Sequence, residues 1–229
     1  ETSETKVVET QSSTATSDNV DIFGSEEKAS SIALVGTSFS DVEAFNFAGY
    51  LSEFTKLEVS NYAVSGGNQF VSIASYLTSP GFVEAPPKVI IWENPVYNNF
   101  GEFGDAPIDE LMIAASGACE TDAGKALTVT ETPTGIGAVA VPESHEGETL
   151  YLKFDAGAAS VRSVKFKLSY ENGSVLPQIL KRSDRFKGNG RFYVKANGKG
   201  LKSISIDAVG ISSTTATLTM CTLATKKGS

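Results

Sequence analysis

Ile32-Ala33-Leu34-Val35 is an unbroken apolar run that ends in the small-residue turn Gly36-Thr37-Ser38-Phe39-Ser40. A strand that is apolar on both faces needs cover on both faces, which is the condition of a parallel sheet flanked by helices. In open sheets of that kind, chemistry collects where strands end and helices begin. A serine at such a turn presents its hydroxyl, and the first N–H groups of a following helix are unpaired and can stabilise an oxyanion. The stretch reads as a nucleophile turn centred on Ser38.

The residues that follow repeat the strand and helix signals. Val42 to Phe54 has roughly helical spacing, and Leu57 to Ala63 alternates as a short strand before the loop Gly66-Gly67-Asn68. Phe70 to Leu77 reads as a second helix ended by Ser79-Pro80-Gly81, and Pro86-Pro87 announces a third apolar strand, Lys88-Val89-Ile90-Ile91-Trp92. The order β-α-β-α-β implies a parallel sheet. Three strands and two helices cover such a sheet poorly, so residues 31–101 are expected to be half of a larger α/β domain, its other strands lying before Glu1. Residues 1–30, rich in Ser, Thr, Glu and Asp, read as a flexible segment, and a start at Glu1 reads as a processed product or a fragment.

From about residue 118 the period changes to two. Alternating runs at 126–131, 149–155, 161–170, 191–196, 202–209 and 214–221 are separated by Gly, Asn, Pro and Ser turns, the pattern of an antiparallel sandwich over 118–229, with 102–117 as linker. Net charge is −8, yet between Arg162 and Lys202 eleven basic residues face only Glu171 and Asp184. An acidic chain with one basic stretch can bind a polyanion; a solvated sheet face explains the same charges. No apolar stretch is long enough to span a bilayer, and no nucleic-acid or metal-binding motif occurs. Cys119 and Cys221 bracket the all-β region, which suits a disulfide in an oxidising compartment; two buried free thiols are the alternative. Asn172-Gly173-Ser174 matches a glycosylation sequon by pattern alone.

An unassisted serine hydroxyl is a poor nucleophile and needs a base. The single histidine, His145, sits in the polar turn Pro142-Glu143-Ser144-His145-Glu146-Gly147 and reads as an ordinary surface residue. Gly66, Gly67 and Asn68, at the end of the second strand, could complete an oxyanion hole or form a plain strand-to-helix turn. Trp92 could face a sugar ring or be a core residue. Glu93 and Tyr97 lie just beyond it, where either could orient a substrate hydroxyl, and Asn46 and Phe47 read as packing and helix-entry residues.

Val35-Gly36-Thr37-Ser38-Phe39-Ser40, Phe45-Asn46-Phe47-Ala48-Gly49-Tyr50-Leu51, Asn61-Tyr62-Ala63 and Pro86-Pro87-Lys88-Val89-Ile90-Ile91-Trp92-Glu93-Asn94-Pro95 occur in the order seen in the alginate O-acetyltransferases, so residues 31 to 100 resemble that SGNH-hydrolase-like family. The resemblance implies a partial SGNH, flavodoxin-like parallel sheet followed by a β-sandwich similar to a carbohydrate-binding module with an internal Cys119–Cys221 disulfide. It implies that Ser38 carries the acetyl group, without a cofactor, in a periplasmic or secreted protein. In the family an Asp-x-His pair precedes the serine motif; this chain has none, so an N-terminal portion of the same enzyme is the expected partner.

The reading that follows is transfer of acetyl from an unidentified donor through Ser38 to hydroxyls of an acidic, alginate-like polysaccharide. Lys165, Lys167, Arg191 and Lys195 on an outer sheet face, with Arg182, Arg185 and Lys187 in the adjoining loop, would hold its carboxylates. Two rivals are an acetylesterase using the same serine and a non-catalytic polysaccharide-binding or scaffold protein.

Overall fold

The structure, a computed structural model, describes residues 31–117, 119, 124–132, 135–140, 149–182 and 189–222. It divides into a small parallel α/β unit and a β-sandwich, as the two periodicities of the sequence require.

Strand β1 (Ile32–Val35) is buried at all four positions and lies between β2 (Val59–Asn61) and β3 (Val89–Trp92), parallel to both. The register Val35↔Trp92 sets the residues after the two strands, Gly36 and Glu93, side by side. Only β1 has the fully buried character expected of these runs. Val89 and Ile90 on β3 are 48% and 36% exposed, because β3 is an edge of the order β2-β1-β3. Its aliphatic sequence suits a strand covered on both faces, a cover these three strands do not supply.

The helix expected over 42–54 is split. After the four-residue helix α1 (Ser38–Asp41) comes a 3₁₀ turn, Glu43–Phe45, and then α2 (Phe47–Thr55). Between them Asn46 adopts a left-handed conformation (φ 42°), which a short polar side chain tolerates better than most. Helix α3 (Val71–Leu77) has six of its seven residues buried, and α4 (Pro80–Glu84) is capped by the Ser79 hydroxyl. The stretch expected to be a linker holds a helix instead, α5 (Ala106–Ser116), with Pro107 in its first turn and Gly117 closing it at φ 63°.

The sandwich pairs two antiparallel sheets. One has the order β10-β7-β12-β4 and the other β5-β6-β11-β8-β9, built from β4 (Lys125–Leu127), β5 (Glu131–Thr132), β6 (Gly135–Ala140), β7 (Thr149–Asp155), β8 (Ser163–Tyr170), β9 (Val175–Lys181), β10 (Arg191–Asn197), β11 (Leu201–Asp207) and β12 (Thr217–Thr222). Alternation fills the space between them: Leu150, Leu152 and Phe154 from β7 meet Val164, Phe166 and Leu168 from β8 and Ile204 and Ile206 from β11. A second core joins the two units. On the outward side of β10 and β12, Tyr193 and Cys221 are buried against Leu111 and Ile113 of α5 and against Phe70 and Tyr76 of the α/β unit. Cys119 and Cys221 form a disulfide, with Cα atoms 5.5 Å apart, and no cysteine is free. Among the described residues no helix is long and apolar enough to cross a membrane.

Candidate active site

The site is assembled where β1 and β3 end. Ser38 begins α1, directly after the Thr37 cap, and is half-buried. Among the described residues no side chain is hydrogen-bonded to its hydroxyl. The turn around it is held from three sides. Gly36 N–H donates to Ser72 Oγ (2.9 Å), and that hydroxyl donates to the Tyr62 carbonyl (2.9 Å). Asn61 Nδ2 donates to the Ser40 carbonyl (2.7 Å), and Ser65 N–H donates to Asp41 Oδ2 (2.8 Å).

The third side is Glu93. Its Oε2 accepts from Thr37 N–H (2.8 Å), Thr37 Oγ1 (3.0 Å) and Ser40 Oγ (3.1 Å), and its Oε1 accepts from Thr37 Oγ1 at 3.2 Å. The Thr37 hydroxyl meanwhile accepts from Phe39 N–H at 3.5 Å, so one carboxylate orients the residue that caps α1. Gly36 makes room for it: a Cβ at that position would lie 2.6 Å from Glu93 Oε2.

The other residues proposed from sequence fall in several places. Trp92 Nε1 donates to the Gln69 carbonyl (3.1 Å), and its ring packs edge-on against Phe100 at 5.2 Å and tilted against Phe70 at 6.1 Å, a packed position rather than an open platform. Tyr97 stands 75% exposed in the loop after β3. Gly66 has φ 76°, and the Asn68 side-chain oxygen accepts from Phe70 N–H (2.9 Å), which gives this loop a turn role at the entry to α3. Asn68 also lines a cleft of about 290 Å³, with Phe70 and Phe103 on one side and Glu110, Ile179 and Lys181 on the other, that runs from the strand ends to the sandwich edge.

The basic residues do not share one face. Lys165 and Lys167 lie on β8 of one sheet, Arg191 and Lys195 on β10 of the other. Lys167 pairs with Asp207 (2.7 Å), Arg191 with Asp155 (3.3 Å) and Lys195 with Asp109 of α5 (2.9 Å). That last bond holds the Lys195 ammonium above its usual pKa, the hydrogen bond contributing most and the Asp109 charge next. Arg182 is buried: it forks onto both Glu110 oxygens (2.7 and 2.9 Å), donates to the Arg191 carbonyl and lies 4.5 Å from the Phe192 ring centroid. Glu110 Oε1 also accepts from Tyr193 N–H (3.1 Å), so the pair ties α5 to the sandwich. Arg185, Lys187 and His145 lie outside the described residues. Among the described residues no three His, Cys, Asp or Glu side chains cluster as metal ligands do.

Sequence reasoning missed Glu93 as a partner of the turn, together with Ser72, Asn61 and Ser40. The parallel order carried the signal for Glu93, since neighbouring strands that end together place their next residues side by side. The exposed stacked pair Phe39 and Phe45 (6.1 Å), beside Ser38, was also missed.

Residues 1–96 match the family described as SGNH hydrolase-like domain, acetyltransferase AlgX. Over 77 residues, 34% of this chain, the sequence is 49% identical to the alginate biosynthesis protein AlgX of Pseudomonas aeruginosa. Over 85 residues it is 38% identical to the probable alginate O-acetylase AlgJ of Pseudomonas syringae pv. tomato. The matched stretches span 16% and 22% of those two proteins. The solved structure of Pseudomonas aeruginosa AlgX superimposes with a TM-score of 0.69 at 25% identity, covering 84% of this chain and 48% of that one. The α/β unit and the sandwich thus follow the architecture of that AlgX structure, and residues 1–96 are similar to the SGNH hydrolase-like, AlgX-type acetyltransferase domain.

Proposed function

We propose that this chain carries the nucleophile and the sandwich of an O-acetyltransferase that modifies an acidic, alginate-like polysaccharide outside the cytoplasm. One observation carries the reading: a serine whose hydroxyl has no partner among the described residues stands at the end of the central parallel strand, on a turn fixed by Glu93, Ser72 and Asn61. It does so within a stretch similar to proteins named for alginate biosynthesis and alginate O-acetylation.

In the first half-reaction Ser38 Oγ attacks the acetyl carbonyl of the donor. The Oγ–C bond forms, the donor's leaving group departs with the electron pair of the broken bond, and the serine proton passes to a base. In the second half, a sugar hydroxyl attacks acetyl-Ser38, gives up its proton to that base and releases the serine. The base, as the family resemblance implies, is an Asp-x-His pair on an N-terminal portion of the same enzyme. The loop Gly66-Gly67-Asn68 supplies oxyanion donors, each contributing about 3–4 kcal/mol where such donors have been removed in comparable sites. The polymer follows the cleft from Asn68 towards Lys181 and on to Lys165 and Lys167. The disulfide favours an oxidising compartment, periplasmic or secreted. A second reading, a polysaccharide-binding or scaffold protein, draws on the exposed Lys165 and Lys181 of the sandwich and does not require Ser38.

Acetyl transfer to oligouronate, measured with the protein that contains this chain and its Asp-x-His portion, separates the two. Ser38→Ala abolishes transfer under the first reading and leaves polymer binding intact. Transfer that survives the substitution removes Ser38 from the mechanism.

A further inference from the structure

Glu93 lies beside the nucleophile, and a carboxylate there has three possible occupations: proton transfer, contact with a substrate hydroxyl, or support of the turn. Its hydrogen bonds point to the third. Oε2 takes three donors, the Thr37 amide and the Thr37 and Ser40 hydroxyls, and Oε1 shares the Thr37 hydroxyl at the longer distance of 3.2 Å. An ionised carboxylate offers about four lone-pair sites. Oε2 is therefore filled by residues on either side of Ser38, while Oε1 carries only the longer arm of the shared Thr37 hydroxyl.

We infer that Glu93 is a positioning residue: it acts on the reaction through Thr37 and Ser40, holding the turn so that Ser38 Oγ meets the acetyl carbonyl in line. The inference rests on the functional reading above for its catalytic consequence, though the bonds themselves do not depend on it. Two features agree. Gly36, opposite Glu93, leaves no room for a Cβ, so the approach of the carboxylate to the turn is built in from both strands. Thr37 Oγ1 donates to the carboxylate while accepting from Phe39 N–H, so loss of Glu93 frees the cap as well as the turn. Misplacement of a reacting group by about 1 Å can cost about 100-fold in rate.

The test uses Glu93→Ala and Glu93→Gln with two readouts. Amide hydrogen exchange at Thr37, measured on this chain, reports the bond directly and needs no activity. Exchange is expected to rise at least about tenfold in Glu93→Ala, since the amide loses its acceptor to water. It should stay near wild type in Glu93→Gln, whose amide oxygen in the Oε2 place still accepts from Thr37 N–H and the Ser40 hydroxyl, while the Thr37 hydroxyl accepts from its NH₂. In the active protein, Glu93→Ala is expected to lower kcat about 100-fold with KM held. Glu93→Gln should restore most of kcat and leave the pH profile unmoved.

Unchanged Thr37 exchange in Glu93→Ala overturns the inference. So does a loss in Glu93→Gln as deep as in Glu93→Ala, which would make the carboxylate's proton or charge the agent, and so does an effect on KM alone, which would return it to substrate. Transfer that persists in Ser38→Ala removes the functional reading but not the exchange result, so the two failures are told apart.

Discussion

At the scale of single residues, the site depends on how closely two strand ends approach. Gly36 is required because its neighbour across the sheet is a carboxylate, and an added methyl would also crowd Ser40 Oγ at 3.2 Å. Gly36→Ala is therefore expected to cost about 1–3 kcal/mol of stability, the usual range for overpacking, and a larger share of activity than of stability. Thermal melting alongside acetyl transfer checks that split. Tyr76 is a second residue with a readable consequence. Burial, and to a smaller extent the facing Tyr62 with a ring centroid 4.4 Å away, hold its phenol above the ordinary value of 10.0. Because the folded pKa is the higher one, the stability this group contributes is whole below pH 10 and is lost as pH rises beyond it. An ultraviolet titration is expected to show Tyr76 remaining un-ionised above pH 10. Tyr76→Phe should flatten the alkaline loss of stability. The position of Ser38, on a turn directly after β1, was legible from the apolar run and the small residues that end it. Glu93 was not read as part of the turn, because its role belongs to the pairing of β1 with β3 and not to its own segment.

At the scale of elements, α5 joins the two units. Its Glu110 accepts from both terminal nitrogens of Arg182 and from the Tyr193 amide, all buried. Removing one member of such a pair strands the other charge away from water, which costs about 3–5 kcal/mol. Glu110→Ala is expected to lose that much in urea unfolding, whereas Lys195→Ala, which breaks the exposed pair with Asp109, should lose under about 1 kcal/mol. This stretch reads from sequence as a linker, although Pro107 just inside the start of the helix and Gly117 just past its end are the ordinary boundary signals. Strand β9 was harder, because Pro177 argues against a strand; the edge position, paired only with β8, is where proline is tolerated. The shared basic face failed for a related reason. Alternation tells which residues point away from the core, but two sheets have two outer faces, and the sequence period does not say which strand joins which sheet.

At the scale of the whole molecule, the parallel unit and the sandwich share buried residues, and the disulfide closes a loop with a sequence separation of 102 at that junction. Loop-closure entropy for a length near one hundred residues is worth about 4.7 kcal/mol in the unfolded state. Cys119→Ser with Cys221→Ser is thus expected to lower stability by about 2–5 kcal/mol, read as a drop in the denaturation midpoint. Both the two-part organisation and the change of period near residue 118 were legible, since each follows from hydrophobic spacing. How the parts meet was not legible, because Tyr193 and Cys221 look like outward strand positions until α5 and α3 cover them. The central claim is that acetyl passes through Ser38. The most direct measurement is peptide mass spectrometry of the active protein after brief exposure to an acetyl donor without polysaccharide. The account predicts an acetyl group on the peptide holding Ser38, lost on adding oligouronate and absent in Ser38→Ala. Transfer that proceeds with that peptide unmodified, or that continues in Ser38→Ala, would contradict it.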